Sequence, residues 1–261
     1  MRAWVGGVAG VAALALGVGG GWLLVATPEK TDAPPTPVAA ASPTPFGTLV
    51  GVVTWGGHPP KREPLPVTRD HAACGAEVPD RSIEVGPDRG LRNALVSVEG
   101  LPAEQSAIAT PIPFHQVDCL FTNRVTVVPT GATIEFVNGD RILHNTHVNT
   151  VRNKPANFAI PAGKRQRYGP MTRETIKITC DIHPWMAAWL IVRDDPYFAV
   201  TDARGQYAIH DVPAGRHKVS VWQETVGKGG VEPIEIEIVS GEVVRHDFLV
   251  RPASATSVRS K

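Results

Sequence analysis

Between residues 180 and 186 the chain places a thiol, an imidazole and a thioether at three-residue intervals: Cys180, His183 and Met186. Upstream, Asn138-Gly139-Asp140 runs into His144-Asn145 and adds a second imidazole. Two His and one Cys in a trigonal plane, with Met as a weak axial ligand, is the set that suits a mononuclear copper site built for electron transfer. The thiolate is needed because charge donation from sulfur sets the electronic character of copper, and the imidazoles act as borderline donors. A lone Cys180-x2-His183 pair would equally suit zinc or a structural thiol. His144-Asn145 and Met186 turn the choice to copper, because a thioether is a poor zinc ligand.

Neighbouring residues qualify the site. Asn145 stands beside the first His and is placed to tie the two ligand loops together by hydrogen bonding. His147, three residues past His144, is a competing ligand by type, although its spacing does not suit this geometry. Asp181 follows Cys180 directly, and a desolvated charge there would disfavour the reduced site.

Such ligands need rigid strands to hold them, and the chain reads as short strands joined by many turns, with 25 Gly and 24 Pro. Apolar, β-branched runs predict strands at residues 48–55, 82–85 and 94–98. Residues 124–128 and 133–137 flank Pro129-Thr130-Gly131, which predicts a hairpin. Residues 175–179 form a strand delivering Cys180, and 188–192 a strand leaving the loop. A second set begins near Tyr197, with turns at 202–205 and 211–215. Ile234, Ile236 and Ile238 alternate there with Glu235 and Glu237, the mark of a half-buried strand. The expected class is all-β: one Greek-key sandwich over residues 46–195, including an N-terminal extension, and a small sandwich over 196–251, with a tail at 252–261.

The first residues lie outside that fold. Arg2 precedes an uncharged run at residues 3–26, long enough to cross a bilayer, where about 20 apolar residues suffice. Residues 1–26 are expected to act as a signal anchor or signal peptide, with Arg2 on the cytoplasmic side. The bulk of the protein is then exported, to a periplasmic or other extracytoplasmic location at the inner membrane. Residues 27–45, rich in Pro, form a linker of extended character. With 26 basic and 25 acidic residues the charge is balanced, which suggests no nucleic-acid partner. If Cys180 binds metal, Cys74 and Cys119 remain, and an exported compartment is where a pair would oxidise. Two buried free thiols are the alternative.

The pattern Phe136-Val137-Asn138, Asp140, His144-Asn145, then Cys180-x2-His183-x2-Met186 resembles the cupredoxins. The short 180–186 loop, with Pro and an aromatic between the second His and Met, looks most like the amicyanin subgroup. The resemblance covers about residues 117–192. It implies a blue copper centre with His144, Cys180 and His183 equatorial and Met186 axial. It also implies that His183 breaks the surface in an apolar electron-transfer patch that includes Pro184 and Trp185. Residues 200–207, 211–215 and 219–221 resemble the carboxypeptidase regulatory-like modules of transthyretin-type topology, which are usually non-catalytic. Residues 47–60 are similar to the first strand of such a module, which implies that this segment packs with the C-terminal unit.

The leading functional expectation is a type 1 copper protein carrying one electron to and from a redox protein partner. The alternative is a copper-binding or interaction protein without electron transfer. An enzyme is not expected. A trinuclear copper cluster needs several His-x-His pairs and none occurs, a binuclear site needs a second nearby Cys, and haem attachment needs Cys-x-x-Cys-His.

Overall fold

Side chains alternate between buried and exposed along strand Phe46–Trp55, where residues 47, 49, 51, 53 and 55 turn inward. That period of two is the pleat of a strand with one face on a core. The same alternation recurs in Glu174–Thr179, whose Ile176 and Ile178 are buried. In the computed structural model, which describes residues 45–103, 111–226 and 231–251, such strands build two sandwiches. The 1–26 segment, the linker up to residue 44 and the 252–261 tail lie outside the described residues. No helix among the described residues is long and apolar enough to cross a membrane.

The first sandwich carries the candidate ligands. One sheet runs in the order Ala156–Ile160, His144–Asn149, Glu174–Thr179, Ala187–Arg193 and Val125–Pro129. The facing sheet runs Arg165–Tyr168, Ile134–Asn138, Ile112–Val117 and Leu120–Phe121. Between them Phe114, Phe121, Phe136, Ile134, Ile176, Ile178 and Leu190 form a dry core. Phe114 meets Phe121 and Phe136 edge-on, at centroid distances of 5.5 and 5.6 Å, a favoured aromatic geometry.

The second sandwich pairs Phe46–Trp55 with Gln206–Pro213, Val243–Arg245 and Phe248–Val250. Opposite lie Phe198–Val200, Leu95–Glu99, Gly215–Trp222 and Ile234–Ile238. The expected all-β class, a two-sheet sandwich with an additional β module, is what the chain adopts. Its division differs from the sequence expectation of 46–195 and 196–251. Strands 46–55 and 95–99, within the bounds given there to the ligand-bearing segment, complete the C-terminal module, and for 46–55 this agrees with the expected packing of the two ends. The first sandwich is thus inserted between strands of the second. Gly51 permits this closure. A Cβ at that position would lie 1.7 Å from the His246 carbonyl oxygen, so only glycine lets the two backbones approach.

Two local expectations also change. Residues 82–85 form no strand, and only Val85 makes a bridge, to Leu91. Val125–Pro129 and Ile134–Asn138 do not pair as a hairpin but lie in opposite sheets. Their connecting turn is held by other segments, with Thr130 N–H donating to Arg193 O and Gly131 N–H to Met171 O. The turn residues reverse the chain, and the reversal crosses the core.

Glu174 opens the strand that leads to Cys180 and grips the turn leaving the His144 strand. Its carboxylate accepts from Thr150 Oγ1 at 2.5 Å, Val151 N–H at 2.6 Å, Arg152 N–H at 3.1 Å and Asn153 Nδ2 at 2.8 Å. Burial alone would raise its pKa, but these donors together outweigh it and hold the group down to about 2. A depressed folded-state pKa means stability present above the ordinary value of 4.5 and lost as pH falls toward about 2. Glu174→Gln is expected to flatten the acid limb of stability across that window in pH-dependent thermal melts. At neutral pH it should lower Tm by about 2–4 °C, or about 1 kcal/mol once water's share is allowed for.

Candidate metal centre

Three segments converge at one end of the first sandwich: the start of strand His144–Asn149, the turn at 180–186, and the short helix His71–Cys74. The turn closes on itself, with Met186 N–H donating to His183 O at 2.9 Å and Cys180 N–H to Met186 O at 3.2 Å. This closure aims Cys180 and His183 at one point. His144 Nδ1 lies 2.9 Å from His183 Nδ1, which lies 3.6 Å from Cys180 Sγ. All three side chains are buried, and their donor atoms lie within 4.8 Å of one another. Met186 is fully buried in the same core cluster as Cys180.

Each imidazole is held from outside by a carboxylate. His144 Nε2 donates to Asp140 Oδ2 at 2.8 Å, and His183 Nε2 donates to Asp70 Oδ2 at 2.9 Å. A carboxylate only accepts, so the proton sits on Nε2 and the Nδ1 lone pair faces inward. Two inward lone pairs beside a sulfur repel one another unless a cation lies between them. An ion about 2.0–2.3 Å from such nitrogen and sulfur donors would have ligand edges of about 3–4 Å, close to the edges observed. The donor set therefore fits a first-row metal, and Met186, buried in the same core cluster as Cys180, offers a thioether that suits copper better than zinc.

Asp140 is itself fixed. It accepts from Asp118 N–H at 2.8 Å and Cys119 N–H at 2.9 Å, and its own N–H donates to Asn138 Oδ1. Buried Asn138 in turn donates to the carbonyls of Ile142 and Ile160, both at 2.8 Å. This pins the Gly139–Leu143 loop from inside. Cys119, Asp140 and His144 also cluster, but the Cys119 sulfur is bonded to Cys74 and offers no thiolate.

Asn145 joins the loops as its sequence position suggests. Its Oδ1 accepts from Cys180 Sγ at 3.1 Å, Asp181 N–H at 2.7 Å and Ile182 N–H at 3.2 Å. Its Nδ2 donates to Asn157 and to Asp181. Burial pushes the Cys180 thiol up, only partly opposed by these hydrogen bonds, so the thiol keeps its proton until a cation displaces it. Burial depresses the His144 pKa, against the pull of Asp140. Burial therefore favours the neutral form of both Cys180 and His144.

His147 is not part of the cluster. It lies three positions past His144, so the pleat turns it to the other face, where its Nδ1 meets Asp181 Oδ1 at 3.0 Å. Asp181 is half exposed. The bond from His147, followed by that from Asn157, holds its carboxyl below the ordinary value. Water screens this charge, so the desolvated repulsion considered for Asp181 does not arise.

The electron-transfer patch expected from Pro184 and Trp185 does not form. Pro184 is exposed, but His183 is 0% and Trp185 7% exposed. Trp185 Nε1 donates to Cys119 O at 3.0 Å and its ring lies 5.1 Å from that of His183. The Cys74–Cys119 disulfide is present, and the segment it ties down covers the His183 edge. Asp70 and Asn157 were not read from the sequence. The signal available for Asp70 was Cys74, four residues on, whose pairing with Cys119 draws residue 70 toward the Asp140 loop.

No family model and no curated protein sequence matches the chain. Among solved structures it is similar to the Cu-containing nitrite reductase from Thermus scotoductus, at 24% identity and TM-score 0.30, over 37% of this chain and 25% of that one. The amicyanin from Paracoccus versutus matches at 16% identity and TM-score 0.30, over 38% of this chain and 97% of that one. A purple cupredoxin from Nitrosopumilus maritimus matches at 19% identity and TM-score 0.28, over 31% and 99%. The chain thus spans a quarter of the nitrite reductase.

Proposed function

We propose that the chain is an exported mononuclear copper protein that carries single electrons, held at the inner membrane by residues 3–26 and serving a redox protein partner. The observation that carries this reading is the convergence of His144 Nδ1, His183 Nδ1 and Cys180 Sγ in a buried pocket, with Met186 buried in the same core cluster as Cys180. Copper bound there would supply a one-electron couple between Cu(II) and Cu(I). The chain's own residues supply the rest. Cys180 gives a thiolate, Asn145 fixes the loop through three bonds to Oδ1, and Asp140 and Asp70 aim the imidazoles inward. A rigid sandwich beneath them keeps reorganisation small when one electron enters from a reductant and leaves to an oxidant. The C-terminal module is read as a non-catalytic regulatory-like sandwich, and the chain as a non-enzyme.

Copper titration followed by visible absorption tests this. Cu(II) is expected to produce an intense sulfur-to-copper charge-transfer band that mild reductant bleaches. Cys180→Ser should abolish it, a loss of more than tenfold in absorbance. Absence of the band in the folded wild-type protein would overturn the reading.

One observation favours the alternative, a copper-binding protein without electron transfer: the full burial of His183. Reduced protein that keeps its electron in the presence of ferricyanide would support that alternative.

A further inference from the structure

Asp70 lies 113 residues before His183, yet its carboxylate closes the outer edge of that ring. Its place is set redundantly. Val67 and Val78 are buried in the core of the first sandwich, and Leu65–Pro66 pairs with Glu77–Val78. The Asp70 carbonyl accepts from Ala73 and Cys74 N–H, each at 2.9 Å. Cys74 is then bonded to Cys119. Cys119 donates its N–H to Asp140 and accepts from Trp185 through its carbonyl. One covalent bridge therefore joins the segment holding His183 from outside to the turn that fixes Asp140, the carboxylate on His144. The backbone at Asp70 is left-handed, with φ 54°, an uncommon conformation outside glycine. The Asp70 side chain is 42% exposed and the His183 side chain 0%, so the carboxylate marks the boundary between the site and water.

We propose that Asp70 is a positioning residue for His183: it holds the ring with Nδ1 inward and places a negative charge beside the metal that favours the oxidised state. The proposal rests on the copper reading above for its second half only. Two neutral imidazoles and one thiolate leave the Cu(II) centre one unit more positive than the Cu(I) centre. A fixed anion nearby therefore stabilises Cu(II) more. One electron is exchanged with an added mediator, and no bond or proton change is required.

The test compares full-chain wild type with Asp70→Asn and Asp70→Ala. In the metal-free protein, ¹⁵N-detected histidine spectra read the Nε2–H of His183. Wild type and Asp70→Asn, which keeps an oxygen acceptor, should show it protected from exchange. Asp70→Ala should lose that protection at least tenfold. Equal protection in all three proteins would overturn the positioning role. If Asp70→Ala does not fold, Asp70→Gly, which removes the carboxylate and suits the left-handed backbone at this position, takes its place with the same expected loss.

With Cu(II) sulfate added, mediator titration reads the potential. Both variants should raise the reduced-to-oxidised ratio at fixed potential about three- to tenfold, or about 30–60 mV for a one-electron couple. An unchanged ratio in both would overturn the electrostatic role. If wild type forms no charge-transfer band, the copper reading falls, and the metal-free spectra still decide whether Asp70 positions His183.

Discussion

Truncating Glu224 to alanine is expected to lower stability by about 3–5 kcal/mol, the cost of leaving a buried charge without its partner. Glu224 follows strand Gly215–Trp222 of the second sandwich, and Arg124 precedes strand Val125–Pro129 of the first. Arg124 Nε meets Glu224 Oε1 at 2.6 Å and Nη2 meets Oε2 at 2.5 Å, a two-pronged arrangement. The side chains are 12% and 9% exposed, so water does not replace a missing carboxylate. Around them lies the seam of Leu95, Val125 and Ile191, with Trp189 and Trp222 stacked edge-on at 5.4 Å. Glu224 also accepts from Trp189 Nε1, and Arg124 Nη1 donates to the carbonyl of Ala187, the first residue of the strand leaving the metal loop. Chemical denaturation measures the effect. Replacing both partners, Arg124→Met with Glu224→Leu, should recover most of the loss, because no unpaired charge remains. A single-variant loss below about 1 kcal/mol would show that the pair behaves as a solvated surface bridge.

Removing the Cys74–Cys119 bridge by Ala substitution at both positions is expected to cost about 4 kcal/mol. The bonded residues are 45 apart, and closing a loop of that size removes about that much chain entropy from the unfolded state. Urea denaturation carries a second signature. The unfolded chain without the bridge is more expanded, so the m value should rise while the midpoint falls. A midpoint shift with no change in m would place the effect in the folded state instead. Because the bridge ties down the segment carrying Asp70, its loss should also expose the His183 edge, and the histidine exchange measurement described for Asp70→Ala would report it.

The ligand candidates were legible because their signal is local. Cys180, His183 and Met186 sit on one turn, so their spacing alone brings the thiol and the imidazole together, and His144-Asn145 marks the strand that meets it. Buried strands such as Phe46–Trp55 and Ile234–Ile238 were legible for the same reason: alternation is a property of neighbouring residues. Alternation tells that a strand has one buried face, but not which core receives it. Strand 95–99 therefore read as an extension of the first sandwich although it completes the second, and strand 46–55 was tied to the C-terminal strands by resemblance and not by its alternation. Turn chemistry at Pro129-Thr130-Gly131 tells that the chain reverses, but not that it crosses to the facing sheet.

The amino-acid sequence by itself determined the all-β class and the types, order and spacing of the residues that could hold a metal, because each is written in short-range pattern. Only the tertiary structure decided that His147 faces Asp181 and water, that Trp185 is buried, and that Asp70 reaches His183 across 113 residues. Those outcomes depend on strand pairing and on a cross-link between distant segments. Such contacts form because the whole chain buries its apolar faces together, and no local spacing encodes them.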